Sequence, residues 1–217
     1  MFYIAGAGGF GRETLDALRA MSPSLAARAV FLDERAHATT VDGIPVRRPG
    51  EAGCGAFVVA IADPSARQRL ASALTSRGLL PGRVIHPRAV ISPGARLGQG
   101  AIVLANAFVS TGAVLGAHAQ INYNATIGHD AVLGDIVTVL PGANVAGAVS
   151  LGQHVTIGTN ACVLQSLRVG SSTTVGAGAV VTRDQPDGVV AVGVPARSRP
   201  RTAGGRVGGS GNVGGSL

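Results

Sequence analysis

From position 85 onward an aliphatic residue recurs at every sixth position. Ile85, Ile91, Leu97, Val103 and their successors up to Val175 and Val181 make seventeen positions, all Ile, Leu or Val. Four residues after each, from Ala89 to Ala179, Ala fills eleven of sixteen positions, with Val137, Val149, Val155, Leu167 and Thr173 in the others. A period of six fits neither the 3.6-residue repeat of an α-helix nor the strict alternation of a two-faced strand. It fits a coil with three flat faces, eighteen residues to a turn, in which the aliphatic points inward and the small residue fits beside a corner. The pattern predicts a hexapeptide parallel β-helix. Residues 85–180 make a little over five coils, roughly 25 Å tall at the sheet spacing of about 4.8 Å.

The first eighty residues follow a different rule. Phe2 to Ala5 read as a short buried strand, then Gly6-Ala7-Gly8-Gly9-Phe10-Gly11 opens an amphipathic helix with Leu15 and Leu18 inward. This is a G-x-G-x-x-G turn between strand and helix, where backbone amides approach a phosphate or sugar. A second strand, Ala29 to Leu32, ends in Asp33-Glu34, where a ribose-binding acid would sit. A third, Phe57 to Ala62, precedes a helix from about Pro64 to Gly78. Eighty residues supply half of a doubly wound sheet, which suits a nucleotide or nucleotide-sugar pocket better than a complete NAD-dependent oxidoreductase.

The predicted organisation is therefore α/β plus all-β. A small Rossmann-like N-terminal domain (1–82) is followed by a parallel β-helix (83–182), a closing strand and turn (183–202) and an Arg/Gly/Ser-rich tail (203–217) expected to be disordered. The closing strand is expected over Val189 to Val194, stopped by Pro195.

Composition narrows the chemistry. Aromatic residues are only 3% of the 217-residue chain and Gly numbers 33, so the core must be built from small and branched aliphatics. All eighteen basic residues are Arg, which excludes lysine-dependent chemistry such as a Schiff base or a P-loop Lys. The net charge of +7 would favour nucleic acid, but no Arg lies between positions 97 and 167, so there is no continuous basic stripe and no nucleic-acid partner is expected. Cys54 and Cys162 are far apart and read as free thiols in a reducing cytoplasm. The N-terminus has no signal-peptide pattern. The uncharged stretch 97–128 is broken by Gly, Asn, Gln and Ser, so no membrane insertion is expected.

Within 97–167 the only histidines are His118, His129 and His154, and the only acids Asp130 and Asp135. His129 and Asp130 occupy outward positions of the hexapeptide Ile127–Val132. A histidine there can act as general base, with the adjacent carboxylate orienting the ring. Flat β-helix faces pack in threes, which would place this pair in a cleft between subunits. Gly147, eighteen residues on, stacks one coil away and can offer a backbone N–H to a developing oxyanion. His118 and His154, two coils apart, are about 10 Å from each other. That is too far to share a zinc unaided, and no metal is expected; Tyr123 and Thr159 stand where a γ-class carbonic anhydrase, which has a similar fold, would need its third ligand. A zinc hydratase and a non-catalytic scaffold with a nucleotide-binding domain are the alternative functions.

Several segments together resemble a known family: the Gly-rich start, Ile85-His86-Pro87 with Ile91-Ser92-Pro93, Ile127-Gly128-His129-Asp130, Pro141-Gly142-Ala143 with Ala146-Gly147, and Gly193-Val194-Pro195-Ala196-Arg197. They look like the NeuD/PglD-like sugar O-/N-acetyltransferases, among the hexapeptide-repeat acyltransferases. The resemblance implies a left-handed β-helix, a homotrimer, and transfer of acetyl from acetyl-CoA to an amine or hydroxyl of a sugar, often nucleotide-linked. By position it implies His129 as base, Asp130 as its acid partner and Gly147 as the oxyanion amide. Asn122 is placed near the acceptor, and Gly8, Gly9, Phe10, Asp33, Glu34 and Ala62 in the nucleotide-sugar pocket. Thr138, Thr159 and Ala177 are placed along the CoA. Two residues depart from the family's pattern: Phe10 replaces a His of the glycine loop, and Thr138 stands where one branch has a His.

Overall fold

The structure, a computed structural model, describes residues 1–35 and 38–201. The expected tail at 203–217 lies outside the described residues.

The chain opens with strand β1 (Phe2–Ala5), helix α1 (Gly9–Met21), a single turn α2 (Pro23–Ala26) and strand β2 (Ala29–Leu32). A hairpin follows, β3 (Thr40–Val41) and β4 (Ile44–Arg47), then β5 (Ala56–Val59), helix α3 (Pro64–Ser76) and the short β6 (Leu80–Pro81). They form one sheet in the order β3-β4-β2-β1-β5-β6, parallel except at the hairpin. Every residue of β1 and β2 is buried, as expected for strands covered on both faces. Leu15 and Leu18 of α1 pack under one face with Phe31 and Val58, while Leu74 of α3 packs under the other with Phe57 and Val59. The third strand begins at Ala56 and ends at Val59 rather than running to Ala62. Ala60 N–H still donates to Ala5 C=O at 2.7 Å, but β1 ends there and leaves nothing further to pair with. The β3–β4 hairpin was not foreseen, although its Asp42-Gly43 turn, with φ of 47° and 77°, and the alternation of Ile44 and Val46 with Pro45 and Arg47 are hairpin signals in the sequence.

Seventeen two-residue strands follow, β7 (Val84–Ile85) to β23 (Val180–Val181). Each of them up to β20 pairs in parallel with residues eighteen further on, as in Val103↔Ile121 and Ile127↔Val145. The result is three sheets. The first face carries Ile102–Val103, Gln120–Ile121 and Thr138–Val139; the second carries Phe108–Val109 and Thr126–Ile127; the third carries Val114–Leu115 and Val132–Leu133. The predicted inward residues fill the interior: Val103, Val109, Ile121, Ile127 and Val139 are fully buried, with Ala107, Ala113, Ala119 and Ala125 beside the corners. Each such aliphatic contributes about 1.5–3 kcal/mol on burial, so a column of them holds the coil without aromatic residues.

The far end is closed by β24 (Val189–Val192), which continues the first face, and by β25 (Arg197–Pro200), an antiparallel edge strand. The closing strand stops at Val192 instead of Val194 because Gly193, at φ 95°, turns the chain back toward β25. Among the described residues no helix is long and apolar enough to cross a membrane.

The N-terminal unit sits on the first face of the solenoid. Val84, Ile102 and Leu104 join the core of α1, and Gln120 Nε2 donates to Val59 C=O at 2.8 Å.

Candidate active site

Two groups of residues stand out, one on the solenoid edge and one in the N-terminal unit. Along the edge between the second and third faces, Gly112, Asp130, Ala148 and Ser166 each adopt a left-handed conformation, with φ of 69°, 58°, 56° and 63°. That conformation turns the corner, and the side chain just before it projects outward. His129 occupies one of these projecting positions and is 53% exposed. Its Nδ1 lies 2.9 Å from Asp130 Oδ2, so a proton on Nδ1 is donated to the carboxylate and Nε2 keeps its lone pair. The ring crosses Gly147: a Cβ there would collide with Nε2. Ala148 N–H donates to His129 C=O at 2.7 Å and fixes the stacking of the two coils. Gly147 N–H has no acceptor among the described residues. His129, Asp130 and Gly147 are thus brought together as the sequence implied.

The second group surrounds a cavity of about 860 Å³ in the N-terminal unit. Gly8, Gly9, Phe10, Asp33, Glu34 and Ala62 all line it. Tight geometry shapes the loop, since a side chain on Gly11 would collide with the carbonyl of Gly6. Asp33 ties both carboxylate oxygens to backbone amides, Oδ2 to Ala7 N–H at 2.9 Å and Oδ1 to Arg35 N–H at 2.8 Å, and so pins the glycine loop to the end of β2. Sequence reasoning missed Arg35 and Arg69, which also line the cavity. Ala66, Leu70 and Ala73 share the cavity face of α3 with Arg69, a three-and-four spacing that could have located it.

The remaining residues divide. Thr159 and Ala177 are exposed and stacked on the edge between the first and second faces, a face away from the His129 edge. Asn122 is buried just before that edge, its amide donating to Val139 C=O at 3.1 Å. Thr138 does not join Thr159 and Ala177. It lies beneath the N-terminal unit, 2% exposed, and its hydroxyl accepts a hydrogen bond from Arg67. The reason is its place on the first face, outward but covered by α3, which the repeat alone does not reveal.

His118 Nδ1 and His154 Nε2 are buried without hydrogen-bond partners. Burial holds the His118 pKa below its ordinary 6.5; nearby Arg67 adds to this and Asp135 opposes it.

A small dinucleotide-type α/β unit seated on a hexapeptide solenoid is the architecture this chain shares with solved acetyltransferases. The chain matches the family model "PglD N-terminal domain" over residues 2–74. Perosamine N-acetyltransferase from Caulobacter crescentus, solved with CoA and GDP-perosamine, is 34% identical with a TM-score of 0.86, covering 92% of this chain and 97% of its own. The acetyltransferase domain of PglB from Neisseria gonorrhoeae, solved with acetyl coenzyme A, is 34% identical with a TM-score of 0.86 over 91% and 98%. WeeI from Acinetobacter baumannii is 32% identical with a TM-score of 0.88 over 92% and 99%. No curated protein sequence matches the chain. The chain belongs to the PglD/PerB/WeeI family of hexapeptide-repeat sugar acetyltransferases, and its solenoid is the left-handed β-helix of that family.

Proposed function

We propose that the protein moves the acetyl group of acetyl-CoA onto an amine or hydroxyl of a nucleotide-linked sugar, with His129 as general base. The observation that carries this is the His129 ring, held at Nδ1 by Asp130 and with Nε2 turned across the unpaired amide of Gly147. Nε2 takes the acceptor's proton as its nitrogen or oxygen attacks the thioester carbonyl. Asp130 stabilises the imidazolium, and Gly147 N–H faces the developing oxyanion. Collapse breaks the C–S bond, and the CoA thiolate leaves with the imidazolium's proton. No acyl-enzyme is needed. The ligands of the Caulobacter crescentus relative, CoA and GDP-perosamine, support both the donor and a nucleotide-linked acceptor.

The acceptor's nucleotide belongs in the cavity at the glycine loop, and CoA along Thr159 and Ala177 with Asn122 near the acceptor. Within one chain these lie on the first face and its edge, while His129 stands across the width of the second face. Two copies must therefore combine, and a homotrimer accomplishes this. Exposed Phe108 and Val132 flank the His129 edge and supply apolar contact area. The free thiols of Cys54 and Cys162 suit a reducing cytoplasm.

The test is His129→Ala. It should remain a trimer by light scattering and lose about 10²- to 10⁴-fold in turnover with acetyl-CoA and nucleotide-linked amino sugars. Turnover near wild type would reject the assignment. Absence of saturable acetyl-CoA binding to the wild type would instead indicate a scaffold.

A further inference from the structure

Among the described residues Arg67 is the largest fully buried side chain, 0% exposed, and no carboxylate lies within ion-pair distance of it. Burial pushes its pKa down to about 9, with only the more distant Asp63 favouring the charge. Burying an unpaired guanidinium is unfavourable. An apolar residue would fill the same helix face without that cost, as Ala71 and Leu74 do further along α3.

What the guanidinium does that an apolar residue cannot is gather acceptors from three separate segments. Nε donates to Ile61 C=O at 3.0 Å and Nη2 to Ala62 C=O at 3.0 Å, both in the wall of the N-terminal cavity. Nη1 donates to His118 C=O at 3.1 Å, on one coil of the solenoid. On the next coil, Nη1 reaches Ile136 C=O and Val137 C=O at 3.4 Å each, and Nη2 bonds the Thr138 hydroxyl. Ile136 is itself strained, a β-branched residue at φ 62°, and such a conformation persists only where its surroundings hold it.

We propose that Arg67 is a positioning residue: its guanidinium locks the Ile61–Ala62 wall of the acceptor cavity to two coils of the solenoid, setting where the nucleotide-linked sugar is presented. The proposal rests on the acetyl-transfer function above. Acyl transfer needs the reacting atoms about 3–3.5 Å apart, and a displacement of about 1 Å can cost on the order of 100-fold. The thioester is held on the solenoid and the acceptor's nucleotide in the N-terminal unit, so the junction between them carries that tolerance.

The experiment uses full-length Arg67→Met, Arg67→Lys and Thr138→Val. It measures kcat and KM for both substrates, and the Kd of CoA by calorimetry. Arg67→Met should lose about 100-fold in kcat/KM for the nucleotide-linked sugar. Its CoA Kd should stay within about twofold of wild type. Arg67→Lys should recover part of the loss, because an ammonium offers three donors but not the planar fork. Thr138→Val, which removes one acceptor and keeps the shape, should move the same acceptor constant less far and leave CoA alone.

An Arg67→Met acceptor kcat/KM within about threefold of wild type overturns the proposal. So does a parallel weakening of CoA and acceptor, or a Lys variant no better than Met. Should Arg67→Met not fold, the Lys and Val variants decide: loss of CoA affinity in Thr138→Val would make Thr138 a CoA contact and refute the link. Wild-type protein that acetylates no nucleotide-linked sugar would sink the proposed function, whereas active wild type without this pattern sinks only the role of Arg67.

Discussion

A methyl group on Gly147 would occupy the space of the His129 ring nitrogen one coil away. The absence of a side chain at 147 is thus what lets the imidazole lie flat along the edge with Nε2 beside an unpaired amide. Gly147→Ala must push the ring off that amide. Its kcat should fall on the order of 10²- to 10³-fold, as for loss of an oxyanion donor, while CoA binding by calorimetry stays near wild type. An unchanged kcat would remove Gly147 from the reaction.

Asp130 orients His129 through Nδ1 from a left-handed corner position that Asn also tolerates. Asp130→Asn should therefore fold normally but lose the charge that stabilises the imidazolium. We expect a fall in kcat of roughly tenfold or more, smaller than that of His129→Ala. Steady-state kinetics on both variants gives the order, and a larger loss for Asp130→Asn would contradict it.

His118 gives the fold an acid sensitivity. Its pKa is below 6.5 in the folded protein, by burial first, then by the charge of Arg67, against the pull of Asp135. As pH falls through about 6.5 the unfolded chain takes up a proton that the folded chain resists, so stability is lost toward acid. His118→Phe, which keeps the stacking on Phe57 at 6.0 Å, should flatten this slope. Thermal melts from pH 7.5 to 5 compare the two proteins, and identical slopes would assign the sensitivity elsewhere.

Gly11 meets the Gly6 carbonyl so closely that no side chain fits. Gly11→Ala should destabilise the N-terminal unit by about 1–3 kcal/mol. Its calorimetric affinity for GDP and UDP should weaken, because the same loop lines the cavity. An unaltered melting temperature would show that the loop relaxes freely.

The solenoid was legible because one rule repeats: Ile85 to Val181 keep their interval, and each interior position is filled by its own coil and the coils stacked on it. His129, Asp130 and Gly147 could be placed for the same reason, since residues eighteen apart are neighbours. The cavity residues followed from the glycine turn and from Asp33 at the end of β2. What the pattern does not encode is which face the N-terminal unit covers. Thr138 looks like any outward threonine until α3 is laid over it, and Arg67 looks like a solvated helix arginine. Both owe their role to contacts between residues about seventy positions apart. The β3–β4 hairpin was legible too, in the Asp42-Gly43 turn and the alternating Ile44 and Val46, but its strands are so short that the signal is easily passed over.

Because the strands from β7 to β20 pair with partners eighteen residues on, the length of this column is quantised. Adding one whole coil beyond Ser166 would lengthen the edge and carry Ala177 further from His129, yet leave every side chain on its original face. Inserting a single hexapeptide there would instead rotate all that follows by a third of a turn and bring Ala177 onto the His129 edge. Relatives that accept donors of different length can therefore be expected to differ by complete coils, and not by the small insertions that ordinary surface loops tolerate.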